Sequence, residues 1–449
     1  MDIYSVIRGI IGTIVILGIA FLFSNNKKRI NWRLVGMGLV IQFVFAVFIL
    51  LSEPLQNIFY PLGFPKVVIE WLGEAVVHLL DFTIEGAKFV FGKLAVSNGP
   101  ESLGFYFAFQ VLPTIIFVSS LTSVLYYLGI LQRVVQGMAW IMAKLMGTSG
   151  AESLSCTAEI FVGQTESPLF IRPYLSTLSQ SELLTIMIGG MATIAGGVMA
   201  AYIQMLGQSF AEVQKLDINV AQVKFAVQIL AASTMAAPAA LLIGKILYPE
   251  VEESMTKGTV KIKVEKQTAN VIEAAAGGAS DGLQLALNVG AMLLVFIAFI
   301  TMINYLLQSL GNITGINSIL MSNFGQLLSM QLIFGLVLQY LAFAIGVPWS
   351  DALIFGSLLG TKVTLNEFVA YLDLAKFIQQ GMLTEKGITM ATFALCGFAN
   401  FSSIAIQIGG ISPLVPHRRK DIAALGLRAV LGGTLATLLT ATIAGTLLG

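Results

Sequence analysis

Glu166 and Glu367 each sit at the centre of a polar run in a chain that is otherwise apolar. The first run is GQTESPLFIRPYL at 163–175; the second is GTKVTLNEFVAYLDL at 360–374. A charged side chain at the centre of a bilayer costs about 2.5–3.5 kcal/mol on insertion scales, so such residues mark a partner, a cavity or a pathway. Glu159, Arg172 and Glu182 lie near Glu166 in the sequence. Gln164 and Asn400 both donate and accept hydrogen bonds, and Thr165, Ser402 and Ser403 add hydroxyls. That set suits a neutral polar molecule read by directional hydrogen bonds; an anion would call for more cations within the clusters. Phe398 puts an aromatic face beside Asn400, suited to stacking on a flat ring.

Each run is followed by a span that small residues interrupt: MATIAGGVMAAYI at 191–203 and CGFANFSSIAIQIGG at 396–410. Glycine, serine and asparagine inside a span permit an unwound helix, whose freed backbone groups must face protein, water or a ligand. Paired interruptions in two halves of a chain mark a secondary transporter with an internal repeat. Gly196 and Gly197 also fit close helix packing. Arg172 and Pro173 read as a turn or an interfacial anchor.

The surrounding elements follow from composition. Of 449 residues, 56% are hydrophobic and only 11% charged, where soluble domains carry about 25% charged residues. Apolar stretches of about twenty residues recur, the signal of spanning helices and not of a barrel. The expected class is an all-α, multi-pass integral membrane protein with about eight transmembrane helices. A net charge of +1 gives no electrostatic case for a nucleic-acid polymer. Cys156 and Cys396 stand alone and His78 and His417 are far apart, so no disulfide framework, metal site or cofactor is expected.

Residues 4–24 and 34–51 read as the first two spans. Lys27, Lys28, Arg29 and Arg33 between them place that loop in the cytoplasm and the N-terminus outside. Residues 53–100 carry Glu70, Glu74, His78, Asp81 and Glu85 among apolar residues at helical spacing, and read as an interfacial or scaffold-packed helix. A span at 104–128 and an amphipathic interfacial helix at 131–147 follow. Apolar segments at 183–206 and 221–248, an aqueous loop at 249–269, and spans at 283–307, 388–410 and 422–448 complete the chain. The short loops point to a bacterial inner (plasma) membrane.

The four long motifs, with ALNVGAMLLVFIAF at 286–299, closely resemble the concentrative nucleoside transporter family from about residue 104 to the C-terminus. The resemblance implies a homotrimer of elevator-type symporters, each protomer moving its own nucleoside, driven by sodium or protons. It implies two re-entrant hairpins, near 151–180 and 350–385, that meet two broken helices near the bilayer midplane. Four sections result: 1–103, N-terminal scaffold helices; 104–248, third span, first hairpin, first broken helix and following span; 249–345, loop and scaffold spans; 346–449, second hairpin, second broken helix and closing span. Carried over by position, Gln164, Thr165 and Glu166 read the nucleobase, with Val198 an apolar contact to it. Glu367 binds the ribose hydroxyls with Asn400 and Ser403, and Phe398 is a neighbouring aromatic contact.

The coupling-ion positions are Glu159, Val162, Thr193 and Ile194. Sodium-coupled members of the family typically carry asparagine where this chain has Glu159. An ionised Glu159 binds sodium directly; alternatively burial favours the neutral acid, and a proton replaces the ion. This residue tips the expectation slightly towards protons. The bland alternative has Glu159 facing water and pairing with Arg172 or a lysine. Gly163 and Gly197 leave room for a purine base as well as a pyrimidine. Two other functions are weighed: a symporter of free nucleobases or another neutral solute, and an intramembrane enzyme with Glu166 and Glu367 as an acid–base pair. The enzyme lacks any nucleophile–base, metal or cofactor motif, and the polar groups do not line the continuous path of a passive channel.

Overall fold

A computed structural model describes residues 3–51, 64–96, 102–258 and 268–448. The expectations for 53–63, 97–101 and 259–267 lie outside the described residues. The described chain is all-helical apart from an isolated bridge between Ser149 and Lys257. Seven helical stretches are long and apolar enough to cross a membrane: Ile3–Leu22, Trp32–Leu50, Phe107–Tyr127, Gln180–Gln214, Ile218–Leu247, Val271–Thr314 and Pro416–Leu447. Two shorter apolar helices, Met330–Ala344 and Phe401–Ile411, accompany them.

These stretches divide by burial. Gln180–Gln214, Ile218–Leu247 and Pro416–Leu447 are mostly buried within the protein, whereas Val271–Thr314 is mostly exposed. A helix apolar all round and exposed on most of it belongs against lipid. Val271–Thr314 runs much longer than the expected 283–307, because its first turns are an amphipathic extension with Glu273 and Asp281. It lies along Leu112–Tyr127 through Gly278 and Gly282, a small-residue seam. A Cβ at Gly278 would meet Ser123 Cβ at 2.6 Å, and one at Gly282 would meet Ile116 Cα at 2.8 Å.

Two hairpins enter the buried group. The first pairs helix Gly150–Ala158 with the 3-10 helix Ser167–Thr177, whose Pro168 and Pro173 remove amide donors and favour the tighter, irregular winding. Its base is built from two reciprocal caps. Ser149 and Glu152 cap Gly150–Ala158, and Ser179 and Glu182 cap Gln180–Ala192. Lys245 bridges Glu152 at 2.8 Å and Glu250 at 3.1 Å. Burial opposes ionisation of Glu250, but Lys245 and Ser179 overcome it and hold its carboxyl below the usual range. Ser254 donates to Glu182 at 2.6 Å and Thr256 is buried, so the start of the expected aqueous loop is stitched to the hairpin base.

The second hairpin pairs Trp349–Thr364 with Glu367–Gln379. Trp349–Thr364 packs on Met330–Ala344, a helix not singled out by the sequence, through Gly335, Gly356 and Gly360. Each hairpin is followed by a helix in two pieces: Gln180–Ala192 then Gly196–Gln214, and Glu385–Leu395 then Phe401–Ile411. The expected interruptions are therefore real breaks, at 193–195 and 396–400.

Candidate functional site

The two breaks meet. Gly397, in the second, has φ +144 and lies so close that a Cβ there would stand 2.7 Å from the carbonyl oxygens of both Met191 and Ala192 in the first. Only glycine supplies that conformation and that approach together. Gly433 of the closing helix touches both sides, with a notional Cβ 2.8 Å from Met191 Cβ and 3.1 Å from Ala399 Cβ.

Around this junction the two halves exchange hydrogen bonds. Gln164 Nε2 donates to Ser403 Oγ at 3.3 Å, joining the first hairpin to the second broken helix. Gln407 Nε2 donates to Gln164 Oε1 at 3.1 Å and to Met187 O at 2.9 Å. Asn400 caps Phe401–Ile411: its Oδ1 accepts from Ser403 N at 2.9 Å and from Ser402 Oγ at 2.7 Å. Its Nδ2 is thereby aimed at Glu367 Oε2, 2.9 Å away. Tyr202 donates to Glu367 Oε1 at 3.2 Å. Tyr202 is itself fixed by stacking on Tyr371, with ring centroids 4.2 Å apart, and Tyr371 donates to Thr392 O at 2.8 Å. Glu367 thus presents a buried carboxylate of set orientation at the N-terminus of its helix, where the helix dipole favours negative charge.

The remaining sequence candidates divide. Val198 is buried in the first turn of Gly196–Gln214, and Phe398 is half-buried beside Asn400. Thr165 packs against Gly410. Glu166 stays outside the network: it is exposed, and Oε2 accepts from Gly163 N at 2.8 Å within its own turn. It lines a cavity of about 210 Å³ with Val162, Gly163, Gly197 and Asp281, between the first hairpin and the helices Leu112–Tyr127 and Val271–Thr314. Residues not singled out by the sequence as site candidates also join the network: Tyr202 and Gln407, and Ser155 and Ser167 beside Glu159. Gln407 carries a legible signal, a lone amide in the apolar run IAIQIGG. Tyr202 carries none, since a tyrosine in an apolar helix is ordinary.

Glu159 is 1% exposed, which overturns the water-facing alternative. Arg172, its suggested partner, is exposed and forms no ion pair with it among the described residues. Glu159 Oε1 accepts from Ser167 Oγ at 2.7 Å and Ser155 Oγ at 3.3 Å; Oε2 is buried with no hydrogen-bond partner among the described residues. That oxygen faces Gly189, where a Cβ would lie 2.2 Å from it. Thr193 N and Oγ1 both donate to Gly189 O, at 3.2 and 3.0 Å. Val162, Thr193 and Ile194 are all buried. A buried carboxylate oxygen left without a donor needs a proton or a cation. Among the described residues, no group of three His, Cys, Asp or Glu side chains is arranged to hold a metal.

Comparison with known proteins agrees with this architecture. A family model described as the Na+ dependent nucleoside transporter C-terminus matches residues 228–445. The corresponding N-terminus model matches 11–94, and a model described as nucleoside recognition matches 108–209. An uncharacterized transporter of Haemophilus influenzae is 46% identical, over 99% of this chain and 98% of that protein. Sodium/nucleoside cotransporter 1 of Homo sapiens is 40% identical over 97% of this chain, which spans 63% of the human protein. The solved structure of CNTnw in an inward-facing substrate-bound state is 39% identical with a TM-score of 0.83, covering 99% of each chain. With its hairpins, broken helices and multiple spans, this chain is a membrane transporter, not an enzyme, and belongs to the concentrative nucleoside transporter family.

Proposed function

We propose that this protein imports nucleosides by symport with sodium. The observation that carries the reading is the buried Glu367 carboxylate, oriented by Tyr202 and Asn400 beside the meeting point of the two breaks. A ribose diol offers two hydroxyl donors, and one carboxylate accepts both as charge-assisted hydrogen bonds. Asn400 and Ser403 stand beside it for the same sugar, with Phe398 adjoining. Gln164, tied to Ser403 and Gln407, carries amide groups of both kinds and suits the edge of a base; Thr165 and Val198 complete that end, and Glu166 lines the adjoining cavity.

For the coupling ion, the buried and unpartnered Glu159 Oε2 supplies a hard anionic oxygen. Thr193 and the backbone carbonyls of Val162 and Ile194 complete an all-oxygen set of the kind a hard cation takes. The matching family models are described as Na+ dependent, and this supports sodium over the proton that the sequence slightly favoured. In this reading the two hairpins and broken helices move as one elevator against the scaffold helices, and three copies assemble in the bilayer.

Competition in proteoliposomes tests the substrate class. Labelled uridine exchange is expected to be inhibited by unlabelled uridine and adenosine and left unaffected by uracil or ribose alone. Equal inhibition by uracil would replace the nucleoside reading with a nucleobase carrier.

A further inference from the structure

The helix Ile130–Met146 leaves a hollow against Trp32–Leu50 that none of the proposed substrate or ion residues lines. Its volume is about 340 Å³. Val40 and Val44 line it from one helix, and Met138, Ile141 and Leu145 from the other. Among the described residues that line it, Thr234 alone is polar, and its Oγ1 donates to Leu230 O at 2.8 Å within its own helix. A hollow walled in this way takes hydrocarbon in preference to water. An apolar cavity of about 150 Å³ already holds a benzene molecule, so this one has room for a run of methylenes. Val40, Val44, Ile141 and Leu145 are exposed, which leaves the hollow open on one side.

The surroundings of that opening identify the occupant. Met138, Ile141 and Leu145 share one stripe of their helix; Arg133, Gly137, Trp140 and Lys144 share another, roughly 100° further round. Arg133, Trp140 and Lys144 are exposed, and Lys144 Nζ lies 4.8 Å from the centroid of the Trp140 ring. Neither cation pairs with a carboxylate among the described residues, and the helix itself carries no acidic residue. A tryptophan flanked by basic residues is the composition of a membrane–water interface. At the Lys144 end, a Cβ on Gly38 would lie 3.0 Å from Met146 Cε. That end therefore sits near the start of Trp32–Leu50, where Lys27, Lys28, Arg29 and Arg33 mark the cytoplasmic side. Anionic lipids of the cytoplasmic leaflet attract such basic segments.

We infer that this hollow is a binding site for an anionic phospholipid of the cytoplasmic leaflet. An acyl chain lies between Val40 and Ile141, and the phosphate reaches round the helix to Lys144. Arg133, about three turns away on the same stripe, adds to the positive field. The hollow supplies the affinity that any phospholipid shares, and the two cations supply the preference for a negative headgroup. The inference stands apart from which solute the protein carries.

Native mass spectrometry of the purified full-length protein tests it, with titration of a phosphatidylglycerol and of a phosphatidylcholine bearing the same chains. Wild type is expected to bind phosphatidylglycerol about tenfold more tightly than phosphatidylcholine. Lys144→Gln combined with Arg133→Gln should bring the two lipids within about twofold of each other. Ile141→Trp, which fills the hollow with an indole, should weaken both by about tenfold or more. Equal binding of the two lipids by wild type overturns the inference. Undiminished phosphatidylglycerol binding by Ile141→Trp places the lipid elsewhere and overturns it as well. So does the absence of tight binding of either lipid, the result expected where a second copy of the chain covers the hollow. If Ile141→Trp does not fold, the charge variant decides, since it alters only exposed residues; an unchanged preference for phosphatidylglycerol then overturns the site.

Discussion

Replacing Glu367 by glutamine tests the sugar end of the site with almost no change of volume. Glu367 accepts from Tyr202 and Asn400, and its oxygens keep further lone pairs for a ligand. A hydrogen bond to a charged group contributes about 1.5–3 kcal/mol and a neutral one about 0.5–1.5, so each bond loses roughly 1–1.5 when the acceptor becomes an amide. Two ribose hydroxyls then cost about 2–3 kcal/mol, roughly a 30- to 150-fold weaker Kd. Equilibrium binding of labelled uridine to purified protein at saturating sodium measures this directly. Specificity gives a second readout, because a site built to bond a hydroxyl rejects the analogue that lacks it. Wild type should discriminate strongly between uridine and its 2′- and 3′-deoxy forms, and Glu367→Gln should lose most of that discrimination. A folded variant that binds uridine within about threefold of wild type, or still rejects the deoxy analogues as strongly, would refute the assignment.

Other perturbations probe the framework. Gln407→Leu removes the side-chain donor to Gln164 Oε1 and to Met187 O, a cost of about 1–3 kcal/mol; nucleoside affinity should fall and the melting temperature with it, and an unchanged affinity would place Gln164 outside the site. Gly397→Ala combines a positive φ with backbone oxygens at 2.7 Å, so thermal unfolding in detergent should occur at clearly lower temperature, by an amount matching about 1–3 kcal/mol or more. A wild-type melting curve would contradict the close junction of the two breaks. Gly189→Ala drives a methyl into Glu159 Oε2. An overpacking cost of about 1–3 kcal/mol should raise the sodium concentration for half-maximal uptake roughly 5- to 150-fold, while saturating sodium restores nucleoside affinity; equal losses at all sodium concentrations would separate Glu159 from the ion.

The sequence revealed the elements whose physics is local. A glutamate in a greasy run, a glycine-rich gap in a span and four basic residues in one short loop are each legible without neighbours. So were both hairpin regions and both breaks, and Gln164, Glu367, Asn400 and Ser403 of the proposed substrate set share one hydrogen-bond network. What escaped depends on contacts distant in sequence. Tyr202 gains its candidate role only because Glu367 lies against it, and Gln407 only because Gln164 does. Met330–Ala344 is apolar but too short to announce itself as a span. Glu159 shows the limit most clearly: composition allowed a water-facing ion pair or a buried acid, and only the packing of Ser155, Ser167 and Gly189 around it separates them.

The most direct test of cation-coupled nucleoside import is uridine accumulation in proteoliposomes with sodium and proton gradients imposed separately. Sodium symport gives accumulation above the external concentration under an inward sodium gradient at equal pH, and none under a proton gradient alone. Accumulation driven only by protons would contradict the sodium assignment and make Glu159 a proton carrier. Uptake that neither gradient concentrates would contradict coupling altogether.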